Sequence, residues 1–245
     1  MRVATSSVAR ICQMPTERVE LTYLGHSSFL WTTPDGVRVV IDPFANTHPH
    51  GWQWFLRPFP DTEADVVLVT HDHFDHNNAE LVRGEPLVIR SATDARDDRV
   101  HIEAFEDRHA TPDDIPNTIF VVESAALRFC HLGDNRPDVP QQVVDAIGRV
   151  DVLIVPVDDS SHLLRFWEVR QLIETFRPRL VVPVHHLVGG LTDPGSTLLS
   201  ADTWLRTQER VQRIGRATVR LDPASLPPER EVWVLQPSAA VGDPG

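Results

Sequence analysis

The chain has 245 residues, of which 41% are hydrophobic and 24% charged, so its composition is that of a globular protein and excludes disorder throughout. The formal net charge is −12, and all 23 basic residues are arginines, so the chain is poorly suited to bind long nucleic acid. The sequence has only the cysteines Cys12 and Cys130, no signal-peptide core and no apolar run of roughly 18 residues, so we expect a cytoplasmic protein without a membrane span.

Short β-branched runs separated by turns dominate the first third of the chain, and strands alternate with helices after it. Helices are predicted over residues 139–147, 163–176 and 200–213. Strands are predicted over residues 18–24, 29–33, 37–41, 65–70, 87–90, 100–104, 118–123, 127–132, 152–157, 180–184, 217–221 and 232–235. This order predicts a layered α/β domain over residues 1–236, followed by a disordered tail over residues 237–245.

A long segment with little periodicity, residues 43–64, separates two predicted strands. Loops of this length inside a compact domain are usually functional or disordered, and the aromatic residues Trp52 and Trp54 argue against disorder. The segment would suit a hydrophobic lid or a contact in a homo-oligomer. Arg57 would either hold a phosphate or carboxylate of a substrate or lie on the surface over a tryptophan.

The strongest chemical signal is the segment His71-Asp72-His73-Phe74-Asp75-His76, directly after an apolar strand. Imidazole and carboxylate are ligands that borderline divalent metals such as zinc prefer. The spacing lets His71 and His73 face one point while Asp75 and His76 turn toward a second. An exposed polar loop is the alternative, but metal binding explains three histidines and two aspartates in six positions better.

This H-x-H-x-D-H motif resembles the hallmark of the metallo-β-lactamase superfamily, and the other landmarks of that family follow in order. The opening run from Tyr23 to Leu30 resembles the subgroup that contains the L-ascorbate phosphate lactonase. The resemblance implies a four-layer αβ/βα sandwich with two mixed β-sheets and helices outside.

The resemblance also implies two divalent metal ions, with zinc expected and manganese or iron as alternatives. The implied ligands are His71, His73 and His109 for the first ion, Asp75, His76 and His185 for the second, and Asp134 between the two. Two cations about 3.5–4 Å apart that share a water lower its pKa toward neutrality and make a hydroxide.

Other residues are expected to support this site or to contact the substrate. The resemblance implies that Asp42 braces the metal loop without binding metal, and His26 is expected either to support that loop or to serve only in a turn. Asp158 follows a strand end on the ligand side. The loop that starts after Asp42 is expected to fold over the cleft, so that Trp54 and Arg57 contact the substrate.

Asp75 and His186 are the candidate catalytic residues. His186 follows the metal ligand His185, and we expect it to donate a proton to the leaving group. The predicted function is hydrolysis of an ester, lactone or phosphodiester bond in a small molecule. The alternatives are a nuclease or nucleotide phosphodiesterase and a non-catalytic metal-binding scaffold.

Overall fold

Two β-sheets hold most of the regular structure in the computed structural model, which describes residues 18–96, 99–111, 115–159 and 163–238. The six strands of the first sheet are β1 (Val19–Gly25), β2 (Ser28–Thr32), β3 (Arg38–Ile41), β4 (Val66–Leu68), β5 (Leu87–Ile89) and β13 (Thr218–Leu221). The eight strands of the second are β6 (Thr93–Arg96), β7 (His101–Arg108), β8 (Pro116–Ser124), β9 (Leu127–His131), β10 (Val152–Pro156), β11 (Leu180–Val184), β12 (Val211–Arg213) and β14 (Glu231–Val234). The α-helices are α1 (Gln141–Ile147), α2 (Phe166–Phe176) and α3 (Asp202–Leu205), and Ala79–Leu81 form a 3-10 helix.

Both sheets are mixed. The first has the order β13-β1-β2-β3-β4-β5, antiparallel from β13 to β3 and parallel from β3 to β5. The second has the order β12-β14-β11-β10-β9-β8-β7-β6, parallel from β12 to β9 and antiparallel beyond. Neighbouring parallel strands end at the same edge of a sheet, so the loops after β9, β10 and β11 lie together.

The main core lies between the two sheets. Alternate side chains of each strand point inward, so Phe29 and Trp31 of β2 are fully buried, as are Phe120 of β8 and Phe129 of β9. The rings of Trp31 and Phe129 meet edge to face across the sheets, with centroids 6.1 Å apart. The predicted sandwich of two mixed sheets is confirmed.

The outer faces of the two sheets are covered differently. Helix α2 packs Val169, Leu172 and Phe176 onto the second sheet, at helical spacing. The outer face of the first sheet is covered by aromatic residues of the 43–64 loop, including Phe44 and Phe55, and no α-helix in the described chain packs there. A loop takes the place of a helical layer on this side of the sandwich.

One predicted helix is too long, and two strands were not predicted. The helix predicted over residues 200–213 ends at Leu205, where the Thr207 hydroxyl donates to the Trp204 carbonyl oxygen. Residues Val211–Arg213 instead form β12, because Val211 can pair in parallel with Val232 of β14. Strand β6 was not predicted, since its exposed sequence Thr-Asp-Ala-Arg has no apolar pattern and pairing with β7 decides its conformation.

Three predictions concern the chain ends, the cysteines and the membrane. Ser238 is held by a hydrogen bond from its amide to the Tyr23 carbonyl oxygen at 2.9 Å, while residues 239–245 of the predicted tail lie outside the described residues. Cys130 is buried as a free thiol, and Cys12 lies outside the described residues. No helix in the described ranges is long and apolar enough to cross a membrane.

Candidate metal centre

Four of the seven predicted ligands, His71, His109, Asp134 and His185, lie within three residues of the end of a strand, and the other three follow His71 in the loop after β4. Strands β3 and β4 are parallel neighbours in the first sheet, and β9, β10 and β11 are parallel neighbours in the second. The strand-end residues are Asp42 after β3, His71 after β4, His109 after β7, Asp134 after β9, Asp158 after β10 and His185 after β11.

The first group of ligand atoms belongs to His71, His73 and His109, and these atoms all lie within 4.8 Å of one another. His71 Nε2 and His73 Nδ1 are 3.1 Å apart, and the ring centroids of His73 and His109 are 4.9 Å apart. His71 and His109 are buried, whereas His73 is half-buried. The structure therefore brings together the three side chains predicted for the first ion.

The second group contains Asp75, His76 and His185, together with His26, again within 4.8 Å. Asp75 Oδ2 lies 3.6 Å from His76 Nε2 and 3.5 Å from His185 Nε2. Of the two roles expected for His26, support of the metal loop agrees with the structure, since its Nε2 is 3.0 Å from Asp75 Oδ2 and it is part of this group. Burial and repulsion by His185 lower the pKa of His26 to about 4, so a neutral ring donates to Asp75 at neutral pH.

Asp134 stands between the two groups. Its Oδ2 lies 3.2 Å from His185 Nε2, 3.5 Å from His109 Nε2, 3.6 Å from His76 Nε2 and 3.8 Å from His71 Nε2. Two ligand atoms on one tetrahedral ion with bonds of about 2.0–2.1 Å are separated by roughly 3.3–3.4 Å. The 3.2 Å contact is within hydrogen-bond range and the other three are longer than a normal hydrogen bond, so the four nitrogens surround Asp134 as ligands of shared cations would.

Asp42 orients two of the histidines from behind. Its carboxylate accepts hydrogen bonds from the Thr70 amide and hydroxyl, both at 2.8 Å, and contacts His76 Nδ1 at 2.9 Å. The Thr70 oxygen in turn lies 2.9 Å from His71 Nδ1. With each Nδ1 held in this way, the Nε2 atoms of His71 and His76 are the ones directed at the group around Asp134. These contacts agree with the bracing role expected for Asp42.

Several buried atoms of the cluster suit a cation. Among the described residues, His76 Nε2, His109 Nε2 and Asp134 Oδ1 are buried and have no hydrogen-bond partner. An unsatisfied buried polar atom costs about 1–3 kcal/mol, so these atoms need a further partner. Divalent cations bound by imidazole nitrogen and carboxylate oxygen would satisfy all three, and the donor set fits zinc, manganese or iron.

The pKa values of the histidines in the cluster are shifted in opposite directions. Burial lowers the pKa of His76, but the carboxylates of Asp134, Asp75 and Asp42 outweigh burial and raise that pKa to about 9. Against the same effect of burial, Asp134 raises the pKa of His185 well above its usual range. Burial and repulsion by His76 hold the pKa of His71 well below its usual range. A bound cation would therefore replace protons on His76 and His185 and find His71 already neutral.

A cleft of about 520 Å³ opens onto these ligands. Residues of the 43–64 loop form one wall, in agreement with the expectation that this loop folds over the site. Trp54 is part of this wall, and its ring centroid lies 6.4 Å from that of His26. The wall also contains His48, His50 and Trp52, which are not among the predicted site residues. Their position in the loop that follows Asp42 is the feature of the sequence that indicates a place near the site.

The structure places Arg57 and His186 elsewhere. Both line a second cavity of about 430 Å³, with Asp202 and Arg213, and neither lines the cleft. His186 Nδ1 donates to the carbonyl oxygen of its neighbour Leu187 at 3.2 Å. The expected substrate contact of Arg57 and the expected proton donation by His186 therefore have no geometric support.

His185 and Asp158 complete the predicted set. Val184 ends β11, and His185 has a left-handed backbone with φ +52°, stabilised by its amide hydrogen bond to the His26 carbonyl oxygen at 3.2 Å. This turn, and not simple alternation along an extended strand, separates His185 from His186. Asp158 is fully buried with its Oδ2 3.7 Å from His185 Nδ1, so it lies behind the ligand and does not face the cleft.

Comparison with known families agrees with the fold. Residues 20–185 match the model of a β-lactamase superfamily domain, which covers most of the chain and includes every predicted ligand. The chain therefore belongs to the metallo-β-lactamase superfamily, whose motifs its sequence resembles.

Individual relatives are similar over most of their length. The chain is 30% identical over 199 residues to a UPF0173 metal-dependent hydrolase of Salinibacter ruber, covering 69% of this chain and 84% of the relative. A UPF0173 metal-dependent hydrolase of Rubrobacter xylanophilus is 46% identical, with 68% and 81% covered. A solved Thermotoga maritima protein, proposed to be a Zn-dependent hydrolase of the metallo-β-lactamase superfamily, is 28% identical with a TM-score of 0.70, covering 89% and 98% of the two chains. The narrower likeness to the L-ascorbate phosphate lactonase stays a prediction.

Proposed function

We propose that the protein is a metal-dependent hydrolase with two divalent metal ions, zinc by expectation, that cleaves an ester, lactone or phosphodiester bond of a small molecule. The observation that carries this proposal is the convergence of four histidine Nε2 atoms on Asp134 Oδ2, within 3.2–3.8 Å. A carboxylate between two groups of ligands supports the proposal of two cations, because the ligands together outnumber the four that a single tetrahedral ion uses.

The ligand sets follow from the two groups. His71, His73 and His109 would hold one ion, Asp75, His76 and His185 would hold the other, and Asp134 would contact both. When bound, the metal pair would supply an activated water and polarise the bond to be cleaved.

The protein's own side chains would position this chemistry. Asp42 fixes the rings of His71, through Thr70, and of His76. His26 holds the Asp75 carboxylate, which lines the cleft and would accept the proton of the attacking water. Burial raises the pKa of Asp75, but the charge of His76 and the hydrogen bonds from His185 and His26 hold that pKa well below its usual range. This carboxylate is therefore ionised at neutral pH.

The metal content tests the proposal directly. Protein saturated with zinc or manganese and then freed of excess metal should hold close to two equivalents by elemental analysis. His109→Ala should lose about one equivalent, because it removes a ligand of the first group alone. His101→Ala is the matched control, since that half-buried histidine pairs with Asp94 on the surface, away from the cluster.

Hydrolysis is the second readout. Metal-loaded protein should cleave at least one member of a panel of p-nitrophenyl esters, lactones and bis(p-nitrophenyl) phosphate, and a chelator should abolish the activity until metal is restored. At most one equivalent of metal after saturation, or two equivalents without hydrolysis of any panel member, would contradict the proposal.

The cytoplasmic location expected from the composition stays a prediction.

A further inference from the structure

An exposed tryptophan stands at the mouth of the cleft. Trp52 is 43% exposed, although tryptophan is usually mostly buried, and its indole stacks on the imidazole of His48 with centroids 4.0 Å apart and planes 13° apart. The edge of the Phe74 ring meets the same indole, with centroids 5.6 Å apart. The indole of Trp52 is therefore held by neighbouring rings, and a little under half of its surface stays accessible.

A tight turn fixes this stack without a ligand. The His48 amide donates to the Trp52 carbonyl oxygen at 2.8 Å, and the Gly51 amide donates to the His48 carbonyl oxygen at 2.7 Å. Gly51 has φ +89°, which favours glycine, and the His50 amide donates to His48 Nδ1 at 3.1 Å and so holds the imidazole. The turn presents the indole in one orientation, which reduces the entropy lost when a ligand binds against it.

The rest of the wall is apolar as well. Trp54 and Phe74 meet edge to face with centroids 5.3 Å apart, and Pro49 lies beside them. Small-molecule sites typically combine such apolar walls with a few polar groups that fix orientation, in cavities of about 300–1,000 Å³. Here the predicted metal ligands are among the polar groups of the lining, and Trp52, Trp54 and Phe74 offer apolar surface to an apolar part of the substrate.

The charges around the cleft disfavour an anion. None of the described residues that line the cleft is an arginine, and the whole chain has no lysine. Asp72 adds a carboxylate at the cleft, and the net charge of the chain is −12. Proteins usually hold phosphate groups with the arginine fork or with lysine, so an anionic substrate would find neither in the cleft and would approach against the net negative field of the protein.

Resting on the proposed hydrolase function, we propose that the substrate is an uncharged ester or lactone whose aromatic or alkyl group packs against Trp52. Hydrolysis would break the acyl C–O bond and form a new C–O bond to the water oxygen. The products are a carboxylate, an alcohol and one proton.

Two chromogenic substrates with the same leaving group test this preference. Metal-loaded protein should hydrolyse p-nitrophenyl butyrate with a kcat/KM at least about tenfold above that for bis(p-nitrophenyl) phosphate, corrected for the uncatalysed rates. Trp52→Ala should raise KM for the butyrate about tenfold with little change in kcat, because packing on the indole is present before and during the reaction. Trp52→Phe should restore part of this loss.

Trp167→Ala is the matched control, since Trp167 is an exposed tryptophan on helix α2, 66% accessible and outside the cleft. It should leave both constants unchanged. The number of metal equivalents is measured for every variant, so that a loss of metal is not read as a loss of substrate binding.

Calorimetric titration with N-phenylbutyramide, an uncharged analogue, and with phenylphosphonate, an anionic one, gives a readout that does not need turnover. The amide should bind to metal-loaded wild type and bind about tenfold more weakly to Trp52→Ala. Preference for the phosphodiester and the phosphonate, with no effect of Trp52→Ala, would overturn the substrate class while the metal hydrolase stands. If fully metal-loaded protein cleaves no member of the ester, lactone and phosphodiester panel, the proposed hydrolase fails, and the titration still decides whether the cleft prefers uncharged apolar ligands.

Discussion

His185 and His186 are neighbours in the chain, but they line two cavities of similar size and different character. His185 opens onto the cleft of about 520 Å³, buried among carboxylates. His186 lines the cavity of about 430 Å³, with its Nδ1 bonded to the backbone and with Arg213 and Asp202 already paired at 2.8 Å. Both cavities contain histidine, aspartate and a tight turn of backbone.

The two cavities differ in whether their polar atoms converge on a common position. In the cleft, nitrogen and oxygen atoms from the loops after β4, β7, β9 and β11 meet around Asp134, with unsatisfied atoms among them. In the other cavity, Arg213 and Asp202 pair with each other. Residue type alone therefore does not identify a metal site. The ligand atoms must point at common positions and lack other partners.

The largest effect is expected at the carboxylate that both groups share. Asp134→Ala should reduce the metal content from about two equivalents to less than one and lower kcat/KM by at least about 10³-fold, because both ions lose a ligand. Elemental analysis and the ester assay measure the two effects. Asp202→Ala, which changes a carboxylate in the other cavity, should leave both values near wild type, and a variant of Asp134 that retains two ions would refute the bridging position.

The two adjacent histidines provide the sharpest contrast. His185→Ala should lose about one equivalent of metal and at least about 10²-fold in kcat/KM, since a ligand of the second group is removed. His186→Ala should keep both ions and stay within about threefold of the wild-type rate, because its side chain lines the other cavity. The opposite pattern, with metal lost only from His186→Ala, would show that the ligand register is wrong by one residue.

His26 should influence the metal through Asp75. His26→Gln removes the ring whose Nε2 contacts Asp75 Oδ2 at 3.0 Å, and such support of a ligand is typically worth about 10–100-fold in metal affinity. Competition with a chromogenic chelator should show this loss for one of the two ions. His101→Gln serves as the surface control, and unchanged affinity in His26→Gln would limit His26 to a structural role.

Metal affinity should increase with pH. In the metal-free protein, the pKa of His76 is raised to about 9 and that of His185 well above its usual range, so at pH 7 both rings hold protons that the second ion must displace. The apparent affinity for that ion should rise by at least about tenfold per pH unit between pH 6.5 and 8.5. Calorimetric titrations in buffers of different ionisation enthalpy measure the released protons, and a flat profile would contradict the predicted protonation of these histidines.

The smallest effect on activity is expected for substitutions in the 43–64 loop, whose side chains line both cavities. Trp54→Ala should raise KM by about three- to tenfold at constant metal content, because Trp54 lines the cleft. Arg57→Ala should leave KM unchanged, since Arg57 lines the other cavity. If both variants match the wild type, the loop is structural or forms a contact between copies of the chain. If Arg57→Ala has the larger effect, the assignment of the substrate to the cleft is wrong.

The sequence by itself determined the chemistry of the ligands and the general plan of the fold. The motif His71-x-His73-x-Asp75-His76 is local, and a buried strand before it sets its direction, so the ligand types and their place at a strand end could be predicted. Short β-branched and apolar runs bounded by turns identified most strands, and helix α2 was predicted from its apolar spacing. These features depend on neighbours along the chain, which the sequence contains directly.

Only the tertiary structure decided which strand ends meet. It added His26 to the group around Asp75, turned His186 away from His185 through a left-handed residue, and made residues 211–213 an edge strand. It also placed Trp52 at the cleft and Arg57 in another cavity, although five positions separate them in one loop. Periodicity records which side of an element is apolar, but contacts between distant segments depend on how whole sheets pack, and that information is not local in the chain.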